Sequence, residues 1–522
     1  MKTLNTSVVI VGAGPAGLVL AHLLGMEDID VIIIEKLAAT VEEPRAIAID
    51  GESLRTLQKI GLYEGFEAEL LSGITADYIN GKGEILFEAG KPEARPYGFA
   101  TVNAFDQPAL DRYLAQNLES RPSVQLRFNH TLESFEQDAD SVRIHCTDAE
   151  GEPLLIQADY LVGCDGGRST VRSALGIAMT GESNPQPWLV IDTRDAHLDG
   201  ELDARFYCDP QRPGMTIRKR HGERRWEWML MPGEEREFLL QDENIRDIIA
   251  PYTDVDKVDI YRKRVYDFHA IIAERWRDGR VFLAGDAAHM TPPFAGQGLN
   301  SGFRDVTNLS WKLAAVVKGQ ARAEILGSYE QERKEHAWQL IETALQLGQQ
   351  IQPIDPQQAE ERDVFFAELN KDPAAVQALE EDMFKAILDR SLDKGLMVDD
   401  GDTAGRLLLQ PVLKSQAGDA ALLDEYLGSG FSIVGYGCEP KDVLSADLVQ
   451  QWQALGAQLV AISAQDDASR ALALADENGE FGQWLGSESP SLLLVRPDRF
   501  CMAVATPENA DQQFERALQL LG

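Results

Sequence analysis

The sequence predicts an α/β chain: a nucleotide-binding domain built on a parallel sheet, a β-sheet domain inserted into it, and a second α/β module towards the C-terminal end. Three observations predict it. Residues 8–36, VVIVGAGPAGLVLAHLLGMEDIDVIIIEK, run through strand, glycine turn, helix and strand. Two later strand-like runs end in Asp165-Gly166 and in Gly285-Asp286. Beyond residue 400 the helical pattern gives way to short apolar runs separated by amphipathic stretches.

The first motif justifies the first domain. Residues 8–11 are β-branched or apolar and stop at Gly12-Ala13-Gly14-Pro15-Ala16-Gly17, where a helical apolar pattern (Leu18, Leu20, Ala21, Leu23, Leu24) begins. A second run, residues 31–34, ends on Glu35 and Lys36, with Glu35 18 positions past Gly17. This is the Rossmann-like dinucleotide fingerprint. The first glycine makes a turn that a Cβ would obstruct, the second lets a pyrophosphate approach the backbone, and the third lets helix and strand pack closely. The helix start offers free N–H groups to phosphate, and Glu35 accepts hydrogen bonds from ribose hydroxyls. Lys2 and the apolar run after Val8 also have the look of an export signal. The strand–turn–helix–strand order favours the nucleotide site.

Composition narrows the class. With 522 residues, 44% of them hydrophobic, two or three domains are expected. No apolar stretch approaches the roughly 20 residues needed to span a bilayer. Five scattered cysteines without CxxC spacing suit a reducing cytoplasm and speak against a disulfide framework or a zinc site, so no metal is expected. A formal charge of −36 sets the surface against nucleic acid and anionic membranes.

The later motifs separate the candidate nucleotides. Residues 160–172, YLVGCDGGRSTVR, form a strand ending in Asp165-Gly166 and entering a helix. Residues 280–302 carry a strand ending in Gly285-Asp286, then Ala-Ala-His289, Pro293, Gly296-Gln-Gly298-Leu299-Asn300 and a further helix. Three strand ends at one sheet edge suit a long bent cofactor such as FAD. With GAGPAG, these segments resemble the signature motifs of the single-component flavoprotein aromatic hydroxylases, the para-hydroxybenzoate hydroxylase-like FAD monooxygenases. Residues 44–50, 435–438 and 496–500 most resemble the 3-(3-hydroxyphenyl)propionate hydroxylase branch, with phenol and resorcinol hydroxylases close by.

The resemblance implies FAD, with NADH or NADPH as transient reductant, O2, and a small phenolic substrate hydroxylated through a flavin C4a-hydroperoxide. It implies that Gly12, Gly14, Ala16, Gly17, Glu35 and Lys36 hold the adenosine diphosphate half. Arg45, Gln107, Asp165, Gly285 and Asp286 would meet the rest of the chain. Gly296, Gly298, Leu299 and Asn300 would face the flavin ring, where backbone N–H groups and the helix dipole stabilise negative charge. A phenol has a pKa of about 10, so a positioned base or relay is required at neutral pH. Asp50 matches the active-site aspartate of the phenol hydroxylase branch, and Arg264 and Tyr266 match its arginine and tyrosine. The alternative is that Asp50 caps the helix after it and that Arg264 and Tyr266 are ordinary sheet residues. Trp228, His289 and Pro293 complete the expected substrate site, and Arg264 or Arg218 would meet a substrate carboxylate. The Trp226-Glu-Trp228 segment begins like a flavin-dependent halogenase signature, but its proline lies one residue too far along.

The expected boundaries are an FAD-binding domain over 1–180 and 280–340, a substrate sheet over 181–279, a helical segment over 341–399 and a thioredoxin-like module over 400–522. In the last, strands are expected at 431–434, 458–462, 491–495 and 501–506 and helices at 445–455 and 509–521. Its only motif cysteine, Cys438, lacks a second thiol for redox exchange, and packing or homodimerisation is its expected role. Rival readings are a Baeyer–Villiger or epoxidising flavoenzyme acting on a polyketide-like aromatic, and a non-enzymatic flavin-binding interaction protein.

Overall fold

A computed structural model describes residues 2–43, 45–183, 186–196, 202–398, 403–463, 473–486 and 490–522. Its first sheet has a parallel centre in the order Val281–Leu283, Pro153–Gly163, Lys2–Val11, Val31–Glu35, Val124–Phe128. Val8 pairs with Tyr160 on one side and Val31 on the other, and all three are buried or nearly so, as the two-sided cover of a parallel sheet demands. Because these strands run the same way, Gly12, Lys36, Cys164-Asp165 and Gly285-Asp286 all emerge at one edge. The three motifs are thereby brought together.

Two helices close the faces. Pro15–Met26 follows the glycine turn with proline in its first turn and no side-chain cap. A Cβ on Gly17 would lie 2.1 Å from the Gly12 carbonyl oxygen, and one on Gly12 (φ +104°) 2.5 Å from that of Cys164. These two positions therefore demand glycine. Helix Gly298–Val317 packs beside Pro15–Met26, and a side chain added at Gly285 would meet the Ala16 methyl at 3.3 Å.

The second sheet roofs this edge. Its order is Asp259–Tyr266, Trp188–Arg194, Glu223–Met229, Gly214–Arg218, Ala204–Cys208, Ala76–Asn80, Ile85–Ala89. The last two strands come from inside the segment expected to belong wholly to the nucleotide domain; Ala76–Asn80 joins Ala204–Cys208 in parallel, a pairing across sequence that local pattern does not reveal. One face of the sheet buries Trp226, Trp228, Leu189, Ile191 and Tyr207 beneath helix Asp242–Ile249. The other faces the nucleotide domain.

Helix Ser328–Ile351 runs across residue 341, and Pro356–Leu369 and Pro373–Met383 follow, each capped by an aspartate, Asp355 and Asp372. Phe366 stacks on Phe87 at 5.1 Å and Arg362 donates to the Cys208 carbonyl at 2.7 Å, tying this segment to the far end of the roof.

The C-terminal module has strands Gln458–Ser463, Ser432–Tyr436, Ser491–Val495 and Cys501–Ala505 side by side, the first pair parallel and the rest antiparallel, with helices Ala446–Ala454 and Ala510–Leu521. That is a thioredoxin-like order. Cys438 is buried, as are the other four thiols. No helix among the described residues is long and apolar enough to cross a membrane.

Candidate active site

One cleft at the sheet edge is lined by Gly12, Gly14, Pro15, Glu35, Lys36, Arg45, Gln107, Asp165 and Gly166. Nothing lies within 4 Å of a Cβ built on Gly14, so this turn is open where a pyrophosphate would lie. Glu35 accepts from the Ala13 N–H at 3.0 Å and the Leu37 N–H at 2.9 Å, one to each oxygen. Each oxygen keeps a lone pair for a ribose hydroxyl. Asp165 accepts from the Thr170 and Val171 N–H groups through Oδ2, at 2.6 and 3.1 Å, while its buried Oδ1 has no partner. An unsatisfied buried acceptor at a cleft wall awaits a donor from outside the chain, and FAD hydroxyls supply such donors.

Arg45 and Asp286 approach to 3.5 Å across the cleft mouth, both substantially exposed. Gln107 accepts from the Ala46 N–H at 2.8 Å and donates to Asp111 at 3.3 Å. Asp111 and His130 also line the cleft and escaped the sequence reading. Burial pushes the Asp111 carboxyl up to about 7, against a lowering hydrogen bond from Gln107. Its spacing of four from Gln107 on helix Gln107–Asn117 was the available signal.

Beyond the phosphates, the turn Pro293–Ala295 ends on Gly296 in the left-handed region (φ +64°), and helix Gly298–Val317 starts with no side-chain cap and open space at Gly298. Its free N–H groups suit an anionic ring edge. Leu299 is half-buried against the main core. Asn300 serves the fold: it accepts from the Asp50 N–H at 3.0 Å and the Ser53 hydroxyl at 2.8 Å and donates to the Gly296 carbonyl at 2.8 Å. Its side chain fixes the loop whose backbone would face the flavin.

The expected catalytic and substrate residues separate. Asp50 caps helix Gly51–Lys59 through Ser53 N–H at 2.8 Å, and its other oxygen is paired with Arg304, which also binds Glu52 and Gln297. Both oxygens are engaged, so the cap alternative describes what Asp50 does here. Arg264 and Tyr266 lie on the roof's edge strand and point inward with Trp188 and Val190, their cross-strand partners. Arg264 is half-exposed and pairs with Glu43. Burial raises the Tyr266 phenol, opposed by nearby Arg225, Arg45 and Arg264, so it is a protonated donor at neutral pH.

Three expectations fail by direction. Trp228 is 1% exposed on the outer face, stacked with Tyr207 at 5.3 Å and Tyr252 at 5.2 Å, because helix Asp242–Ile249 covers that side. His289 is buried, bonded to Asp305 at 2.7 Å and stacked on Trp276 at 5.2 Å, so it packs behind the site. Arg218 also lies on the outer side of its strand, paired with Asp203 at 2.6 Å. Pro293 opens the turn whose Phe294 meets Trp188 edge-on at 5.4 Å.

The inner face instead carries Asp192, Arg225 and Glu227. Arg225 grips Asp192 through two bonds, 2.9 and 3.1 Å, and donates to the Arg45 carbonyl at 3.1 Å, anchoring roof to cofactor loop. Burial alone would lower the Arg225 guanidinium, but Asp192 more than reverses this.

The comparisons agree with this geometry. A family model described as "FAD binding domain" matches residues 5–344, and one described as "HcaD C-terminal domain" matches 405–520. The chain is 35% identical to a 3-(3-hydroxy-phenyl)propionate/3-hydroxycinnamic acid hydroxylase of Escherichia coli O81 (strain ED1a), covering 99% of this chain and 95% of that protein. It is 37% identical to the enzyme of the same name from Shigella sonnei (strain Ss046), covering 97% and 92%. The solved ternary complex of aklavinone-11 hydroxylase with FAD and aklavinone shares the fold, with a TM-score of 0.81, 24% identity and full coverage of both chains. By family model, near-full-length identity and site geometry alike, the chain belongs to the single-component FAD-dependent aromatic hydroxylases.

Proposed function

We propose that this enzyme hydroxylates the ring of a phenol bearing a short carboxylate side chain, of the 3-(3-hydroxyphenyl)propionate class, using NADH or NADPH and O2. The observation that carries this reading is 35–37% identity, over 97–99% of the chain, to hydroxylases named for that substrate. Bound FAD supplies the activation of dioxygen with electrons from the nicotinamide. The chain's own residues supply the rest.

The Gly14 turn, Glu35 and Asp165 hold the cofactor's nucleotide and hydroxyl groups, and the start of helix Gly298–Val317 stabilises anionic charge at its ring edge. The roof closes over the ring and excludes water. Arg264 takes the substrate carboxylate, exchanging its pairing with Glu43 for the ligand, and Tyr266 donates a hydrogen bond beside it. Asp50 and Asn300 act as positioning residues that hold Arg304 and the Gly296 loop. The five buried thiols suit a cytoplasmic setting, and homodimerisation is part of the same proposal.

Arg264→Ala separates the substrates. With 3-(3-hydroxyphenyl)propionate, KM should rise about 10-fold or more, the loss of one charge-assisted contact; with phenol or resorcinol it should stay within about twofold. Ring products carrying one added oxygen on an unchanged carbon skeleton support hydroxylation. A lactone or epoxide, or no substrate-stimulated NAD(P)H oxidation, overturns it.

A further inference from the structure

Strand Glu223–Met229 alternates between two environments. Trp226 and Trp228 face the outer core, so Arg225, Glu227 and Met229 face the cofactor side. Register fixes what surrounds Glu227: it pairs with Val190 on one neighbouring strand and Met215 on the other. Arg225, two residues before it, is bonded to the Arg45 carbonyl of the cofactor loop. Met229, two residues after it, packs in one cluster with Trp188 and with Phe294 of the Pro293–Ala295 turn. Glu227 therefore points into the interval between the Arg45 loop and the turn that leads to helix Gly298–Val317. On the reading above, this is where a substrate ring lies.

Glu227 is 4% exposed; among the described residues its carboxylate accepts no hydrogen bond, and its ion-pair partner is Arg225 Nη1 at 3.9 Å, beyond hydrogen-bond reach. Several other buried carboxylates are filled: Asp192 by Arg225, Glu52 by Arg304 and Arg390, Asp305 by His289, Arg333 and the Gly285 N–H; the unpartnered oxygens of Asp111 and Asp165 belong to the cofactor cleft. Arg225 is already committed to Asp192. We propose that Glu227 is the proton acceptor for the substrate's phenolic hydroxyl.

The ionised carboxylate accepts the phenolic proton, and the O–H bonding pair remains on the phenol oxygen as phenolate. When the oxygenated ring regains aromaticity, Glu227 returns its proton to the ring oxygen while the C–H proton of the oxygenated carbon leaves with the water that forms, so Glu227 is ionised for the next turnover. The titratable and charged groups on this side are Arg225 on the same strand, Asp192 on the adjacent strand, Arg262, Arg264 and Tyr266 on the strand beyond it, and Arg45 and Glu43 on the loop. Burial pushes the Glu227 carboxyl up to about 7, with Arg225 opposing and Asp192 assisting, which suits a base working near neutrality.

The inference rests on the phenol hydroxylase reading, and its test separates the two. FAD-loaded wild type and Glu227→Gln are titrated with 3-(3-hydroxyphenyl)propionate, and the ultraviolet difference spectrum reports whether the bound ligand is phenol or phenolate at each pH. Wild type should bind phenolate well below the free ligand's pKa, and the variant should bind neutral phenol until the pH is raised by at least about one unit further. kcat should fall about 10²-fold, FAD content should be retained, the thermal midpoint should not fall below that of wild type, and a ring-fluorinated analogue of lower pKa should recover most of the rate. Wild-type phenolate binding with no recovery by the acidic analogue, or an unchanged spectrum in Glu227→Gln, overturns the assignment while leaving hydroxylation standing. If wild type neither binds nor oxygenates any of these phenols, both readings fall.

Discussion

Glu332 and Glu227 are both buried glutamates facing an arginine, yet they titrate in opposite directions. Glu332 is fully buried between helix Gly298–Val317 and the C-terminal module; Arg496 reaches it through two bonds at 2.9 and 2.8 Å, and Lys312, Asn308 and the Leu396 N–H complete its shell. Burial would raise that carboxyl, but Arg496 and Lys312 hold it well below the usual carboxylate range. Glu227 has no such shell, and burial wins. The difference teaches how to tell a joint from a site. A charge whose every lone pair is filled from within the chain ties elements together, whereas one left short of partners waits for a group the chain does not contain.

The joint should break hardest. Arg496→Leu leaves Asp498 buried without its cation and Glu332 with Lys312 alone, which should cost about 3–5 kcal/mol. Urea unfolding at fixed excess FAD, followed by C-terminal tryptophan signals, measures it; a loss under about 1 kcal/mol would mean that the cluster is solvated and the contrast with Glu227 false. The same cluster sets an acid dependence. Glu332, like Glu52 in its own pairing with Arg304 and Arg390, has a depressed native pKa, so the unfolded chain binds their protons first as pH falls. Their contribution is present above the ordinary glutamate value of about 4.3 and is lost as pH drops below it. The penalty of Arg496→Leu should therefore shrink in acid.

Glu227 should show the reverse. Its native pKa is raised from the usual 4.5 to about 7, so between those values the native state holds a proton that the unfolded chain has released. Its presence costs stability as pH rises through that window, on the order of 3 kcal/mol once both states are ionised. Glu227→Gln carries no such cost. Relative to wild type it should gain stability between pH 5 and about 8, read as diverging urea midpoints; midpoints that stay parallel would show that Glu227 ionises as an ordinary surface glutamate does.

Much of the nucleotide edge was legible because its constraints are local. Gly12 and Gly17 are demanded by contacts within a few residues of the turn or to the adjacent strand end, and parallel pairing then gathers the three motifs without further information. The roof was half legible. Alternation from Arg225 to Met229 announces two faces, but nothing local says which face meets the cofactor. Trp228 is expected in the substrate site, and helix Asp242–Ile249 buries it with Trp226 on the other side. The pairing of Ala76–Asn80 with Ala204–Cys208 joins residues 128 apart in the chain and leaves no short-range trace. His289 and Asn300 stand within true motifs, and only their partners, Asp305 and Asp50, show that their side chains serve packing.

The distinction between filled and open space extends to the glycine turn, where it predicts a smaller effect on the fold and a selective effect on the cofactor. Gly14 has an extended backbone, φ −81° and ψ 179°, that any residue adopts, and no atom stands near a Cβ placed there. At Gly17 a Cβ would strike the Gly12 carbonyl. Gly14→Ala should leave unfolding of the apoprotein within about 0.5 kcal/mol of wild type, yet weaken FAD binding about 10-fold or more, since the methyl occupies the path by which the pyrophosphate reaches the backbone N–H groups. Gly17→Ala should lower stability and affinity together. Flavin fluorescence on titration of apoprotein gives the affinities and urea midpoints give the stabilities. Equal FAD binding by Gly14→Ala and wild type would place the pyrophosphate elsewhere, whereas the split between the two variants would show that space at Gly14, like the unfilled shell of Glu227, is kept for what the chain receives.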